Sequence, residues 1–101
     1  MTKGRDTEIL ALLKALGNPI RLDILNLLVS KEQCVCNIFD HLDLPQNLVS
    51  HHLGILRKNN LITAKKDGKW VHYSINHKIF AGLKDFSEDF LSAKNNKSSN
   101  C

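Results

Sequence analysis

Two cysteines separated by one valine are the side chains of this sequence best suited to chemistry. The stretch from Glu32 to Phe39 reads EQCVCNIF and contains Cys34 and Cys36, while the third cysteine, Cys101, is the last residue. Thiolates are soft ligands that favour ions such as Cu(I) and, by extension, As(III) and Sb(III). Two local thiols suit a low coordination number, whereas zinc normally takes four ligands in a tetrahedron. The alternative is that one cysteine is a small buried apolar residue.

The spacing of these two thiols limits how they can act together. Residues i and i+2 of an α-helix point about 200° apart, so Cys34 and Cys36 can share an ion only if the helix unwinds or if they precede it. A third ligand could come from Cys101 of either protomer or from a small cellular thiol. A disulfide between Cys34 and Cys36 is disfavoured because neighbours this close fit poorly within the usual Cα separations.

The elements that must position these thiols begin with four predicted helices. Apolar periodicity predicts the first from Thr7 to Leu16, and Pro19 suits the start of the second. Asp43-Leu44-Pro45 forces a turn between a short third helix and a fourth. The apolar positions that define the third and fourth helices are Val35, Ile38, Phe39 and Leu42, then Leu48, Val49, Leu53 and Leu56.

After the fourth helix the apolar residues alternate, which is typical of strands. Strands are predicted from Leu61 to Lys66 and from Lys69 to Ile75, joined by Asp67-Gly68 in a two-residue type I′ turn. A last helix, from about His77 to Leu91, carries three of the four phenylalanines. Its broad apolar stripe favours a helix-helix contact in a dimer, packing on the first helix of the same chain, or both.

The positive charge is concentrated in the middle of the chain. The net charge is +4, and residues 45–80 carry six Lys/Arg against one Asp/Glu. Residues 1–44 carry five against six, and residues 81–101 carry three against three. A basic region on one part of a small domain favours a polyanionic partner, and the alternative is a solvated lysine-rich face.

Two short helices, a tight turn and a following hairpin predict a mainly α winged helix-turn-helix, in the order ααααββα, whose fourth helix enters the DNA major groove. Short or amide-bearing residues near the start of that helix are expected to reach base edges: Gln46, Asn47, Ser50 and His51. The expected phosphate contacts are Arg57, Lys58, Lys65, Lys66 and Lys69. His52 shares a face with Leu48 and Leu56, so it is predicted to be packed and hydrogen-bonded.

The length of the chain fits one domain. Residues 1–92 are assigned to a DNA-binding and dimerisation domain, and residues 93–101 to a disordered polar tail. No apolar run approaches the roughly 20 residues of a membrane span, and the N-terminus has no signal-peptide core, so a cytoplasmic protein is expected. This fold leaves little room for a substrate cleft, which argues against an enzyme.

The segments LGNPIRLDIL, EQCVCNIF, LVSHHLGILRKNNLI and KKDGKWVHYSI together resemble the ArsR/SmtB family of metal-responsive bacterial repressors. The resemblance implies a homodimer, built through the first and last helices, that binds operator DNA and releases it when a metal or metalloid binds. The family's arsenic and antimony sensors carry E-L-C-V-C-D-L-C in the third helix, and its first two cysteines fall on Cys34 and Cys36. The third falls on Phe39, which provides no thiolate. Pro45 stands where the family often has a serine, so a weaker helix cap is expected.

The leading hypothesis is a repressor released from operator DNA when As(III) or Sb(III) binds Cys34 and Cys36, with Cys101 as a candidate third ligand and no organic cofactor. Closing both thiolates on an ion would distort the start of the third helix and shift the recognition helix expected to pack against it. The alternatives are a thiol redox or persulfide sensor, and a sensor of another soft metal such as Cd, Pb or Cu(I).

Overall fold

A computed structural model describes residues 4–93 of the chain, and Cys101 and the rest of the predicted tail after residue 93 lie outside them. The described part contains the helices α1 (Gly4–Leu16), α2 (Pro19–Leu28), α3 (Val35–Leu42), α4 (Gln46–Lys58) and α5 (His77–Ala93), and the strands β1 (Gln33–Cys34), β2 (Ile62–Asp67) and β3 (Trp70–Ile75). The mainly helical winged helix-turn-helix predicted from the sequence is confirmed. Among residues 4–93 no helix is long and apolar enough to span a bilayer.

Local side chains fix where the helices begin and end. The Asn18 side-chain oxygen accepts hydrogen bonds from the backbone N–H groups of Ile20, at 2.9 Å, and Arg21, at 3.2 Å, and so caps α2. Asp43 ends α3 in the left-handed conformation, with φ of 50°. Pro45 precedes α4 and provides no side-chain cap, as expected where a serine is replaced by proline. The helix still begins at Gln46.

The core lies where α2 meets α3, α4 and the sheet. Ile24 of α2, Ile38 of α3 and Leu56 of α4 are fully buried. The main packing partners of α3 are α2, β1 and β3, whereas α4 packs chiefly against α2 and β2. Because α2 and the sheet are the larger contacts of both helices, they provide a further connection between α3 and α4.

The hairpin loop lies one residue later in the chain than predicted, so each residue of β2 pairs two positions farther along β3. Asp67 pairs with Trp70, so the two-residue loop is Gly68-Lys69 and not Asp67-Gly68. Gly68 has φ of +65°, and Lys69 is not among the described residues with positive φ. A positive φ at the first loop residue alone is the pattern of a type II′ turn, which requires glycine there, whereas type I′ needs it at both positions.

The strand β1 was not predicted. It pairs with β3 in antiparallel register, Gln33 opposite Tyr73 and Cys34 opposite His72, and the strand order is β1-β3-β2. The side-chain amide of Gln33 donates to the carbonyl of Leu27 at 3.2 Å, which ties β1 to α2. The two cysteines are thereby held at a junction between the sheet and α3.

A partly buried hydrogen-bond cluster connects the recognition helix α4 to α1 and α2. The guanidinium of Arg21 donates to the carbonyls of Ala15 and Lys14, and its Nη1 lies 3.1 Å from Nδ1 of His52. Since a guanidinium can only donate, Nδ1 accepts and the imidazole is neutral. Burial, with the charges of Arg21 and His51 adding to it, lowers the pKa of His52 below its ordinary value. The prediction that His52 is packed and hydrogen-bonded is confirmed.

We predict that His52 makes the free energy of unfolding fall as the pH drops below the unfolded-state pKa of about 6.5. The folded-state pKa is lower, so the unfolded chain binds more protons in that window, and the slope from this residue cannot exceed about 1.4 kcal/mol per pH unit. His52→Gln keeps an acceptor for Arg21 but does not titrate, so its stability should depend less on pH.

Chemical denaturation at fixed protein concentration, between about pH 5 and about pH 7.5, measures this slope. His41→Gln removes an exposed histidine of α3 and serves as the control, which should keep the wild-type slope. Identical slopes in His52→Gln and the wild type would show that His52 is not the titrating group.

Candidate thiol site and nucleic-acid interface

The two thiols of the CVC stretch lie in contact. Cys36 donates a hydrogen bond to Sγ of Cys34 across 2.9 Å, and both side chains are half-buried. Cys34 is the N-cap of α3, in extended conformation with φ of −66° and ψ of 144°, and Cys36 is the second residue of the helix. An N-cap side chain bends over the N–H groups of the second and third helical residues, so these two positions meet. The spacing allows two geometries, either an unwound first turn or a cysteine that precedes the helix. The structure has the second.

This arrangement changes what ion binding must do. Two thiolates on a tetrahedral ion, with bonds of about 2.3 Å, lie roughly 3.8 Å apart. The sulfurs of Cys34 and Cys36 would have to separate by only about 1 Å from their present 2.9 Å. Of the two alternatives, the structure favours the one in which the first turn of α3 does not unwind, because Cys34 is outside the helix and can move without breaking it.

The thiol pair shares a proton in its hydrogen bond. The bond to Cys34 is the main cause that raises the pKa of Cys36, and burial and the charge of Cys34 act in the same direction. The backbone N–H groups of Asn37 and Cys36 itself oppose the rise. Because a metal ligand must be a thiolate, an ion that takes both sulfurs has to displace this proton.

The described residues, 4–93, offer no ready third ligand beside the pair. Phe39 is half-buried and packs against the core. His72, opposite Cys34 in the sheet, has its ring nitrogens 3.9 Å from carboxylate oxygens of Glu32 and Asp67. Within residues 4–93 no three His, Cys, Asp or Glu side chains converge on a common ion position.

The predicted DNA-contacting side chains share one property, which is exposure to solvent. The inward face of α4 consists of Val49, Leu53 and Leu56, of which at most 2% is exposed, together with buried His52. Leu48, predicted to face inward, is half-buried. The exposed set is Gln46, Asn47, Ser50, His51, Arg57, Lys58, Lys65, Lys66 and Lys69. Core packing therefore leaves all nine free for a partner.

Two features of the structure were not predicted from the sequence. Arg21 joins α1 to α4, and its signal was a charged residue in the otherwise apolar start of α2. Trp70, at the far end of the wing formed by β2 and β3, is 47% exposed. The alternation of the second strand gave no reason for a large aromatic ring there.

Exposed apolar side chains also occur on α1 and α5. The first half of α5 packs on the core through Ile79, Phe80, Leu83 and Phe86. Farther along, Phe90 is 65% exposed and Leu91 is 63% exposed, while Leu10 and Leu13 of α1 are about half-exposed. The apolar stripe of α5 thus packs within its own chain at one end and stays open at the other.

Comparison with known proteins places these observations among bacterial regulators. Residues 18–64 match the family described as "Bacterial regulatory protein, arsR family". The arsenical resistance operon repressor of Staphylococcus xylosus is 34% identical over 100 residues, which cover 93% of this chain and 96% of that protein. The structure of HlyU from Vibrio cholerae N16961 has a TM-score of 0.70 at 32% identity, covering 73% of this chain and 80% of that one. An ArsR family transcriptional regulator covers 97% of this chain and 100% of its own at a TM-score of 0.84 and 16% identity, which speaks for the fold alone.

We predict that the wing lysines contribute affinity for duplex DNA without sequence preference. Lys65→Ala combined with Lys66→Ala removes two phosphate contacts, so the slope of log K against log salt should decrease in magnitude by about 0.9 per contact. Gln46→Ala should instead reduce the preference for one sequence and leave the slope unchanged.

Fluorescence anisotropy of a labelled duplex at several salt concentrations measures both effects. Lys84→Ala, an exposed lysine on α5 away from α4 and the wing, is the matched control and should leave the slope unchanged. A wing double variant with the wild-type slope would remove these lysines from the interface.

Proposed function

Because the chain belongs to the ArsR family of DNA-binding transcriptional repressors, we propose that it is a homodimeric repressor that leaves its operator when As(III) or Sb(III) binds Cys34 and Cys36. The observation that carries the proposal is the pair of thiols in contact at the junction of β1 and α3. The similarity to an arsenical resistance operon repressor over nearly the whole chain supports the choice of inducer.

The ligand set favours a metalloid over a tetrahedral metal. As(III) and Sb(III) are soft and accept few ligands, so two thiolates supply most of what they need. Zinc would need two more ligands, and residues 4–93 do not present them beside the pair. The third position on a metalloid is open to Cys101 or to a small cellular thiol.

The two thiols belong to different elements, so opening the pair acts on the DNA-binding surface by two routes. Cys34 belongs to β1, which is paired with β3, so its movement acts on the wing. Cys36 belongs to α3, which packs on α2, and α2 carries the Arg21 that holds His52 of α4. Both routes end at elements that carry the proposed DNA contacts.

The energy required is small. A 100-fold loss of operator affinity corresponds to about 2.7 kcal/mol of coupling between the two sites. The ion must favour the DNA-incompetent arrangement by that amount, which is comparable with one hydrogen bond to a charged group, at about 1.5–3 kcal/mol.

A thiol redox sensor is the second candidate. Thiol oxidation to a disulfide needs a second sulfur within reach, and the contact between Cys34 and Cys36 provides one. The predicted obstacle to this disulfide, the short Cα separation of residues so close in sequence, still favours Cys101 as the partner of Cys34 or Cys36.

The test of the proposed function uses a duplex selected from random DNA by the wild-type protein. We expect arsenite and antimonite to release the wild type, and both Cys34→Ser and Cys36→Ser to abolish this release while DNA binding persists. Phenylarsine oxide, which has two free positions on arsenic, should release the wild type and Cys101→Ser equally, because it needs only the local pair.

The remaining arms decide between the candidates. Arsenite should release Cys101→Ser less readily than the wild type if the terminal thiol is the third ligand, and equally if a small thiol fills that position. Release by hydrogen peroxide but not by arsenite would overturn the metalloid proposal in favour of the redox sensor. Failure to select any duplex would overturn the regulatory role itself.

We further predict that the open apolar surface of α1 and α5 is the dimer interface. Phe90→Glu and Leu91→Glu place a charge in it and should raise the dimer dissociation constant at least 100-fold, about 2.7 kcal/mol. Val29→Glu, which replaces a 71% exposed apolar residue at the C-cap of α2, is the matched control. Sedimentation equilibrium measures the assembly, and a dimer unaffected by both α5 variants would locate the interface elsewhere.

A further inference from the structure

The single tryptophan of the chain lies at the far end of the wing. Trp70 opens β3 and pairs with Asp67, the last residue of β2, directly beside the loop Gly68-Lys69. It is 47% exposed, and its ring lies beneath the ammonium of Lys69, whose Nζ is 5.5 Å from the centroid. A large apolar ring at the polar tip of a hairpin is unusual enough to indicate a binding role.

Folding does not account for this ring. The core end of the hairpin is at Ile62 and Ile75, and Trp70 is not part of the cluster packed there. Five steps of about 3.3 Å along β3 place it roughly 17 Å from Ile75. Its cross-strand partner is the carboxylate of Asp67, whose side chain is 79% exposed, so the pair buries little apolar surface.

The surroundings of Trp70 favour a polyanion as the partner. Lys65, Lys66 and Lys69 bring three ammonium groups to the outer part of the hairpin against the one carboxylate of Asp67. Such a cluster attracts nucleic acid electrostatically. An aromatic ring among cations is suited to sugars and bases, because it gives apolar contact where the lysines give only charge.

The geometry of the wing indicates which part of the DNA it can reach. With α4 in a major groove about 12 Å wide, a hairpin extending roughly 17 Å from the core passes the flanking phosphates. The next surface beyond those phosphates is the adjacent minor groove. Because β2 begins four residues after α4 ends, the hairpin stays beside the recognition helix.

We propose that Trp70 lays its indole against the sugars and base edges of the minor groove flanking each half-site, while Lys69 holds the ring and contacts a neighbouring phosphate. This inference rests on the proposed DNA-binding function and adds a contact that is not electrostatic. Trp70 then affects affinity through apolar area and groove width, and the lysines affect it through charge.

Because Trp70 is the only tryptophan, its emission reports on this contact in the unmodified protein. The probe is the duplex selected by the wild type, of about 30 base pairs or three helical turns. Saturation with this duplex should change the emission and reduce quenching by acrylamide, a neutral quencher, at least twofold. Unchanged emission and quenching in the saturated complex would overturn the inference.

Variants separate the ring from the charge. Trp70→Ala should weaken binding about 10-fold with an unchanged salt slope, and Trp70→Phe should recover part of the loss. Lys69→Ala is the matched control and should lower the slope by about 0.9. A Trp70→Ala variant with wild-type affinity, or with a loss that appears only in the salt slope, would overturn the inference.

Two further results distinguish this inference from its premise. If no duplex is bound even at low salt, the proposed function fails. If DNA is bound but vesicles of anionic phospholipid protect Trp70 from acrylamide and the duplex does not, the inference alone fails and the tip belongs to a membrane contact.

Discussion

The backbone pairing of two residues, Gln33 and Cys34, with β3 is the constraint on which the thiol site depends. The pairing keeps the backbone of Cys34 extended up to the last residue before α3, which makes it the N-cap and not a helical residue. From that position its sulfur lies over the first turn, where Cys36 stands. If α3 began two residues earlier, the same sequence would hold the two thiols on nearly opposite sides of the helix. The same pairing attaches the thiol pair to the wing.

The guanidinium of Arg21 is a second contact that joins separate elements, in this case α1, α2 and α4. It bonds two carbonyls at the end of α1 and the imidazole of α4, so three helices share one charged donor. Hydrogen bonds to charged groups contribute about 1.5–3 kcal/mol each, which is similar to the coupling that a 100-fold change in DNA affinity requires. The orientation of α4 can therefore change through one such contact without loss of the core, where Ile24 and Leu56 remain fully buried.

Most of the fold, and the exposed face of α4, could be predicted because they follow from apolar periodicity over eight or more residues. The burial of Val49, Leu53 and Leu56 is what exposes Ser50 and His51 on the opposite side. The strand β1 could not be found in this way, since two residues show no period and their structure comes from tertiary pairing. The predicted position of the hairpin loop was one residue too early for a related reason. Asp67-Gly68 is a good type I′ pair locally, but cross-strand pairing places Gly68 first in the loop.

Phe39 holds α3 against the core, so of the two elements that carry the thiols β1 can move more easily than α3. Phe39 stands three residues after Cys36, where a third thiolate would share the same face of α3, but it packs on the core with Val35 and Leu42. Full burial of such a side chain contributes roughly 1.5–3 kcal/mol, so these three half-buried residues each contribute less and anchor α3 together. Cys34 is held less firmly than α3. Its strand β1 is attached only through two backbone pairs with β3 and the side-chain hydrogen bond of Gln33. In the proposed function, an ion that separates the sulfurs would therefore shift β1 and the wing before α3. Phe39 would then have two effects in that proposal, since it supplies no third thiolate and it anchors α3 so that the movement is directed toward the hairpin.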